Sequence, residues 1–172
     1  FYEDGKPAHK GRITWELDEQ MGDGRPFTIS KTYTWSMNDR ATLRSHLESW
    51  RGRPFKKEDF GQNGFDTKNL LLKPCTLTVQ HKDVNGQERA LVAGVAPVMK
   101  GVKAFTPTNP PIYLSLDAGS FDAKVLEGLG EKTQEAIRST PEYAALISVK
   151  NGKDKYSDNA AHSDDLDDEI PF

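Results

Sequence analysis

Two alternating runs flank Asn85-Gly86, and no other feature of the chain constrains its fold as strongly. In Pro74–Lys82, Cys75, Leu77, Val79 and His81 fall on one side, and Thr76, Thr78, Gln80 and Lys82 on the other. Arg89–Val98 returns as a partner run. Apolar and polar side chains that alternate with period two belong to a half-buried strand. Asn-Gly between such runs favours a type I′ turn, whose central residues take positive φ and whose twist matches that of the strands. The segment is therefore predicted as an antiparallel hairpin. Gly94, inside the return strand, marks a bulge or a close approach.

A second hairpin is predicted upstream. Gly11–Leu17 sets Ile13, Trp15 and Leu17 opposite Arg12, Thr14 and Glu16. Phe27–Trp35 sets Phe27, Ile29, Tyr33 and Trp35 opposite Thr28, Ser30, Thr32 and Thr34, and Met21–Gly24 between the runs has turn chemistry. A helix then runs from a cap at Asn38 or Asp39 to about Arg51. Leu43, Leu47 and Trp50 form its apolar stripe, and Gly52 supplies the stop. A helical turn fits Asp66–Leu72, an ordered loop Lys100–Pro111 and a short strand Ile112–Leu116. Helices fit Phe121–Leu129, Glu131–Ser139 and Glu142–Ile147. Periodicity stops near Ser148, and residues 151–172 carry only two aromatics, Tyr156 and Phe172. The expected fold is mainly β with helices. Residues 1–148 form a small OB-fold-like β-barrel with C-terminal helices, and residues 149–172 a disordered linker and acidic tail.

The formal charge of −3 over 172 residues hides a strong asymmetry. Residues 25–103 carry 14 basic and 7 acidic side chains, whereas residues 157–172 carry 6 acidic and no basic ones. A basic body joined to an acidic end suits nucleic-acid contact combined with an interaction tail. The longest apolar runs, such as Leu70–Leu72, are far short of the roughly 20 residues a membrane helix needs, so neither a membrane partner nor a secretory leader is expected. One cysteine forms no intramolecular disulfide, and a reducing, cytoplasmic compartment is the default.

Enzyme chemistry finds no foothold. His9, His46, His81 and His162 lack metal-ligand spacing, and no cofactor or metal is expected. Cys75 lies in an apolar strand face, where a thiol is inert. There is no nucleophile elbow and no phosphate-binding glycine loop.

Binding a single nucleic-acid strand without reading its sequence takes cations for phosphates and aromatic faces for bases. Trp50-Arg-Gly-Arg-Pro-Phe-Lys-Lys57 packs two aromatics and four cations into eight residues, and Lys100, Lys103 and Phe105 form a second such loop. The candidate strand-binding residues are Arg44, Trp50, Arg51, Arg53, Phe55, Lys56, Lys57, Lys82, Lys100, Lys103 and Phe105. Trp15, Trp35 and Trp50 also lie on apolar stripes, so a core role is open to each. Phe55 and Phe105, in loops beside lysines, are the better stacking candidates.

The chain ends Asp164-Asp-Leu-Asp-Asp-Glu-Ile-Pro-Phe172. This ending resembles the acidic tip of bacterial single-stranded DNA-binding proteins, where acidic residues precede Ile-Pro-Phe. That resemblance implies that Asp167, Asp168, Glu169, Ile170, Pro171 and Phe172 dock replication, recombination and repair proteins. Phe172 suits an apolar pocket, and its α-carboxylate suits a basic rim. Ile13-Thr-Trp-Glu-Leu17, Phe27-Thr-Ile-Ser-Lys31, Leu47–Phe55, Lys73-Pro-Cys75 and Asn109-Pro-Pro-Ile112 resemble bacteriophage-encoded OB-fold single-strand binders over about residues 9–146. The resemblance implies a non-enzymatic protein that coats single-stranded DNA in a bacterial host cell and recruits partners through its tip; homo-oligomerisation is compatible with it. An adaptor that mimics the tip and binds no DNA is the alternative.

Overall fold

The structure is a computed structural model that describes residues 9–60 and 64–158. The chain divides into two compact units, Phe1–Pro111 and Ile112–Phe172. The boundary falls before the C-terminal helices, which the sequence reading groups with the strands in residues 1–148.

In the first unit, β1 (Lys10–Gln20) and β2 (Pro26–Thr34) pair antiparallel, with Trp15 opposite Ile29. Trp15, Ile29 and Tyr33 are buried on the predicted face, with Ile13 and Leu17 packed against them. Phe27 and Trp35 were expected on that face as well. They lie where the strand runs past the core, and are 43% and 38% exposed. Trp35 lies over Gly11, where an added Cβ would come within 2.2 Å of the indole.

The second hairpin joins β3 (Thr76–Val84) to β4 (Gln87–Ala96). Asn85 and Gly86 take φ of 56° and 77°, the pair of positive values a type I′ turn requires. Thr78 faces Gly94 while Val79 faces Val92, so Ala93 bulges out beside the predicted glycine. Leu77, Val92 and Val95 anchor the base of the hairpin in the core. Beyond Val92 the arm toward the turn is mostly exposed, and Val79 and His81, predicted to face inward, are exposed.

Helix α1 (Thr42–Arg51) starts later than its predicted cap. Asn38 instead closes a turn, its Oδ1 accepting from the Arg40 amide and its backbone carbonyl from Ala41. The end is as expected: Gly52 is left-handed at φ 69° and donates to Glu48 and Ser49. Leu43, Leu47 and Trp50 pack into one core with Trp15, Ile29, Tyr33, Val92, Val95 and Phe55. Lys31, the one cation on the inner face of β2, donates to the Val92 carbonyl at 2.6 Å and so links the two hairpins.

The OB-fold-like barrel is not formed among the described residues. Each hairpin remains a separate two-stranded sheet, which makes the fold a mixed α/β one with two antiparallel sheets. The predicted strand Ile112–Leu116 pairs with nothing in a ladder among the described residues. Pro110 and Pro111 just before it lack the amide donors a ladder would use.

The second unit carries α2 (Ala123–Glu127), capped by Asp122, α3 (Glu131–Arg138) and α4 (Pro141–Asp158). Leu126 and Leu146 are its buried side chains among the described residues, and Phe121 meets Tyr143 edge to face at 6.1 Å. Pro141 takes the first helical position and the Thr140 hydroxyl caps the Tyr143 amide. Helix α4 continues ten residues beyond Ser148, where the sequence reading begins a disordered linker. Lost amphipathic periodicity marks the end of a buried face, which is not the same as the end of a helix.

Candidate nucleic-acid interface

Two carboxylates organise the basic segment that leaves α1. Glu48 accepts from the Phe55 amide at 2.9 Å and from Arg44 Nε at 3.0 Å. The Phe55 amide first, then Arg44, hold the Glu48 carboxyl below its ordinary range. Arg44 also pairs with Asp39 and donates to the Met37 carbonyl. Asp59 accepts from Arg51 at 2.7 Å, from Arg53 at 3.0 and 3.2 Å, and from the Lys56 amide at 2.8 Å. The Arg51 guanidinium and the Lys56 amide together hold the Asp59 carboxyl far below the carboxylate range.

Arg44, Arg51 and Arg53, all predicted to meet phosphate, thus already serve carboxylates of the same chain. Lys56 and Lys57 are exposed and form no ion pair among the described residues. The same holds for Lys82, Lys100 and Lys103. Lys82 stands on the exposed arm of the second hairpin, directly opposite Arg89. Two like charges in register repel, so an anion between them would be favoured.

The predicted stacking residues need correction. Trp50 is 9% exposed and Phe55 7%, so neither offers an open face to a base. Trp50 Nε1 donates to the Pro74 carbonyl at 3.0 Å, and the indole lies 6.1 Å from Trp15. Phe55 packs against Phe60 and Phe65 at 5.3 and 5.1 Å, with Arg51 Cζ 4.3 Å from its ring centre. A phenylalanine three residues past a helix stop folds back to plug the core, and its lysine neighbours carry no signal of that. Phe105 is half-buried.

Both rings line a cavity of about 400 Å³ that sequence reasoning missed. Phe65, Asn69 and Lys73 contribute to its walls, held by a 3-10 turn at Thr67–Leu70 that Asp66 caps. The loop holding Lys100, Lys103 and Phe105 is tied down by Glu16 of β1. Its carboxylate accepts from the Thr108 amide, and from the Asn109 amide and side chain at 3.0 and 2.6 Å. Desolvation alone would raise the Glu16 carboxyl, but these donors outweigh it and hold it low.

Three other titratable groups at the core are shifted toward their neutral forms. Burial pushes the Cys75 thiol up to about 11 and the Tyr33 hydroxyl up to about 12. Tyr33 Oη sits 2.9 Å from His46 Nδ1, and burial, then the charge of Lys31, lower the His46 imidazole. No three His, Cys, Asp or Glu side chains gather as a metal site would need, and no helix is long and apolar enough to cross a membrane, among the described residues. Residues Asp167 to Phe172 lie outside the described residues. Comparison with family models, curated proteins and solved structures finds no match for this chain.

Proposed function

We propose that the chain binds single-stranded DNA through the basic body formed by its two hairpins and first helix, coats it during replication, recombination or repair, and recruits partner proteins through its Ile-Pro-Phe end. One observation carries this reading. The basic surplus of residues 25–103 falls in a single compact unit, and five lysines there, at 56, 57, 82, 100 and 103, pair with no carboxylate among the described residues. Such ammonium groups on a stable hairpin-and-helix body suit the phosphates of a strand read without regard to sequence. The six carboxylates after Tyr156 are segregated from that body in sequence and end in an apolar triplet suited to a protein pocket.

Fluorescence anisotropy of a labelled oligo-dT tests the reading, with the full chain and with a chain ending at Asp158, at low and at high salt. Micromolar or tighter binding that salt weakens, and that survives the truncation, is expected. No binding by either chain, with partner capture still dependent on Phe172, would favour the adaptor instead.

A further inference from the structure

The three most exposed large apolar side chains of the first unit, among the described residues, are Met99 (70%), Leu72 (62%) and Val102 (55%). Each is followed directly by a lysine: Lys100, Lys73 and Lys103. These lysines are exposed and pair with no carboxylate among the described residues. The doublets stand on two tight turns. In the first, the Lys73 amide donates to the Leu70 carbonyl at 3.1 Å, Leu71 takes φ −59° and ψ 133°, and Leu72 is left-handed at φ 60°. In the second, the Val102 amide donates to the Met99 carbonyl at 3.1 Å around Gly101 at φ 85°. Both are type II turns, whose third residue takes positive φ and is normally glycine or asparagine. A leucine there is strained, and its side chain stands in water, so neither backbone preference nor burial accounts for it. Both turns lie at the foot of the second hairpin. Thr76 opposite Ala96 ends the ladder, and Lys73 and Pro74 wall the same cavity as Pro97 and Val98. Residues 67–82 and 90–111 contain no Asp or Glu. Glu16 reaches the second of these segments at Thr108 and Asn109, where amide donors take its oxygens.

We infer that bases of the bound strand rest on this foot of the hairpin: Leu72, Met99 and Val102 cover base faces, and Lys73, Lys100 and Lys103 hold the phosphates between them. The inference rests on the DNA-binding reading and deepens it by naming the side chains that touch bases. Trp50 and Phe55, expected from sequence to stack, are buried, whereas these three aliphatic side chains are in the open. Leucine and methionine are among the apolar side chains that proteins place against bases. A single strand repeats an apolar base and an anionic phosphate in every unit, and the doublets repeat an apolar residue and a cation. The chain's own end matches less well, because its carboxylates come first and its Ile-Pro-Phe triplet last. Covering the three apolar side chains adds affinity that salt does not screen, unlike the contribution of the lysines.

The test uses the full chain and compares a labelled oligo-dT with an abasic strand of equal length, by anisotropy at several salt concentrations. Leu72→Asn puts a residue suited to the left-handed turn in place of the leucine. Its urea midpoint is expected to hold or rise while its affinity for oligo-dT falls. A midpoint that falls together with the affinity would make Leu72 a packing residue and overturn its assignment. Adding Met99→Ser and Val102→Ser is expected to weaken oligo-dT roughly tenfold, with the abasic strand and the salt slope unchanged. Replacing Lys73, Lys100 and Lys103 with alanine is expected to flatten the slope of log affinity against log salt by about 0.7 for each, on both strands. An unchanged slope would remove these lysines from the phosphate path and sink the inference. Unchanged oligo-dT affinity in the apolar triple variant, or an equal loss on both strands, would overturn base contact and leave DNA binding standing. With oligo-dT binding unchanged, the triple variant could instead lose a labelled peptide of residues 164–172, and the surface would then belong to the chain's own end. Loss of binding to vesicles of phosphatidylcholine and phosphatidylglycerol, again with oligo-dT unchanged, would assign it to an anionic membrane. Either result would overturn the inference. No affinity of the native chain for any strand would overturn the function proposed above as well.

Discussion

Glu16 fastens a loop 92 residues further along the chain. It uses both carboxylate oxygens, on two successive amides and one side-chain amide. Glu16→Gln keeps one oxygen and turns an amide donor toward those donors, so the loop is expected to loosen. Hydrogen exchange at Thr108 and Asn109 should then rise, with β1 and β2 unchanged; unchanged exchange would show that something else holds the loop. His46 offers a second test. Burial and Lys31 depress its folded-state pKa, so the folded protein favours the neutral imidazole. The associated stability is complete above the unfolded value of about 6.5 and drains away as pH falls toward the folded value. The urea midpoint of the native chain should fall between pH 7.5 and 5.5 more steeply than that of His46→Gln. Parallel curves would remove His46 as the cause. Neither tie was visible in sequence: Glu16 read as the polar side of a strand, and His46 as an isolated histidine.

The elements were most legible where one local rule had a single structural answer. Asn85-Gly86 could close only a tight turn, and both residues took the positive φ it needs. Gly86 sits at φ 77°, and a methyl group added there would meet nothing within 4 Å, so Gly86→Ala should cost about 1–2 kcal/mol by backbone strain alone. Urea unfolding with an unchanged slope would measure it, and a cost near zero would mean that the turn relaxes to another type. The stripe Leu43, Leu47 and Trp50 was equally plain, because only a helix puts those positions together. Elements failed where the answer depended on a partner. Alternation in Phe27–Trp35 said which side faces inward, not how far the core beneath it extends, so Phe27 and Trp35 emerged at the edges. Ile112–Leu116 had strand composition but no strand beside it among the described residues.

For the whole molecule, the distribution of charge sets the behaviour in salt. If Lys56 and Lys57 each neutralise a phosphate, replacing both with alanine removes two contacts. The slope of log affinity against log salt should become shallower by about 0.7 for each. Anisotropy titrations at several salt concentrations read this directly. The same double substitution at Arg51 and Arg53 would disturb folding too, since both hold Asp59. An unchanged slope for the lysine pair would move the phosphate path to Lys82, Lys100 and Lys103. Sequence alone determined the hairpins, the first helix, the basic centre and the acidic Ile-Pro-Phe end, because each depends on neighbours within a few residues or on a count. Tertiary structure decided which cations are spent on carboxylates, that Phe55 is core, that the strands stay as two hairpins, and that a lined cavity exists beside Arg51. Those outcomes depend on which groups from distant segments meet and exclude water, and no local pattern carries that information.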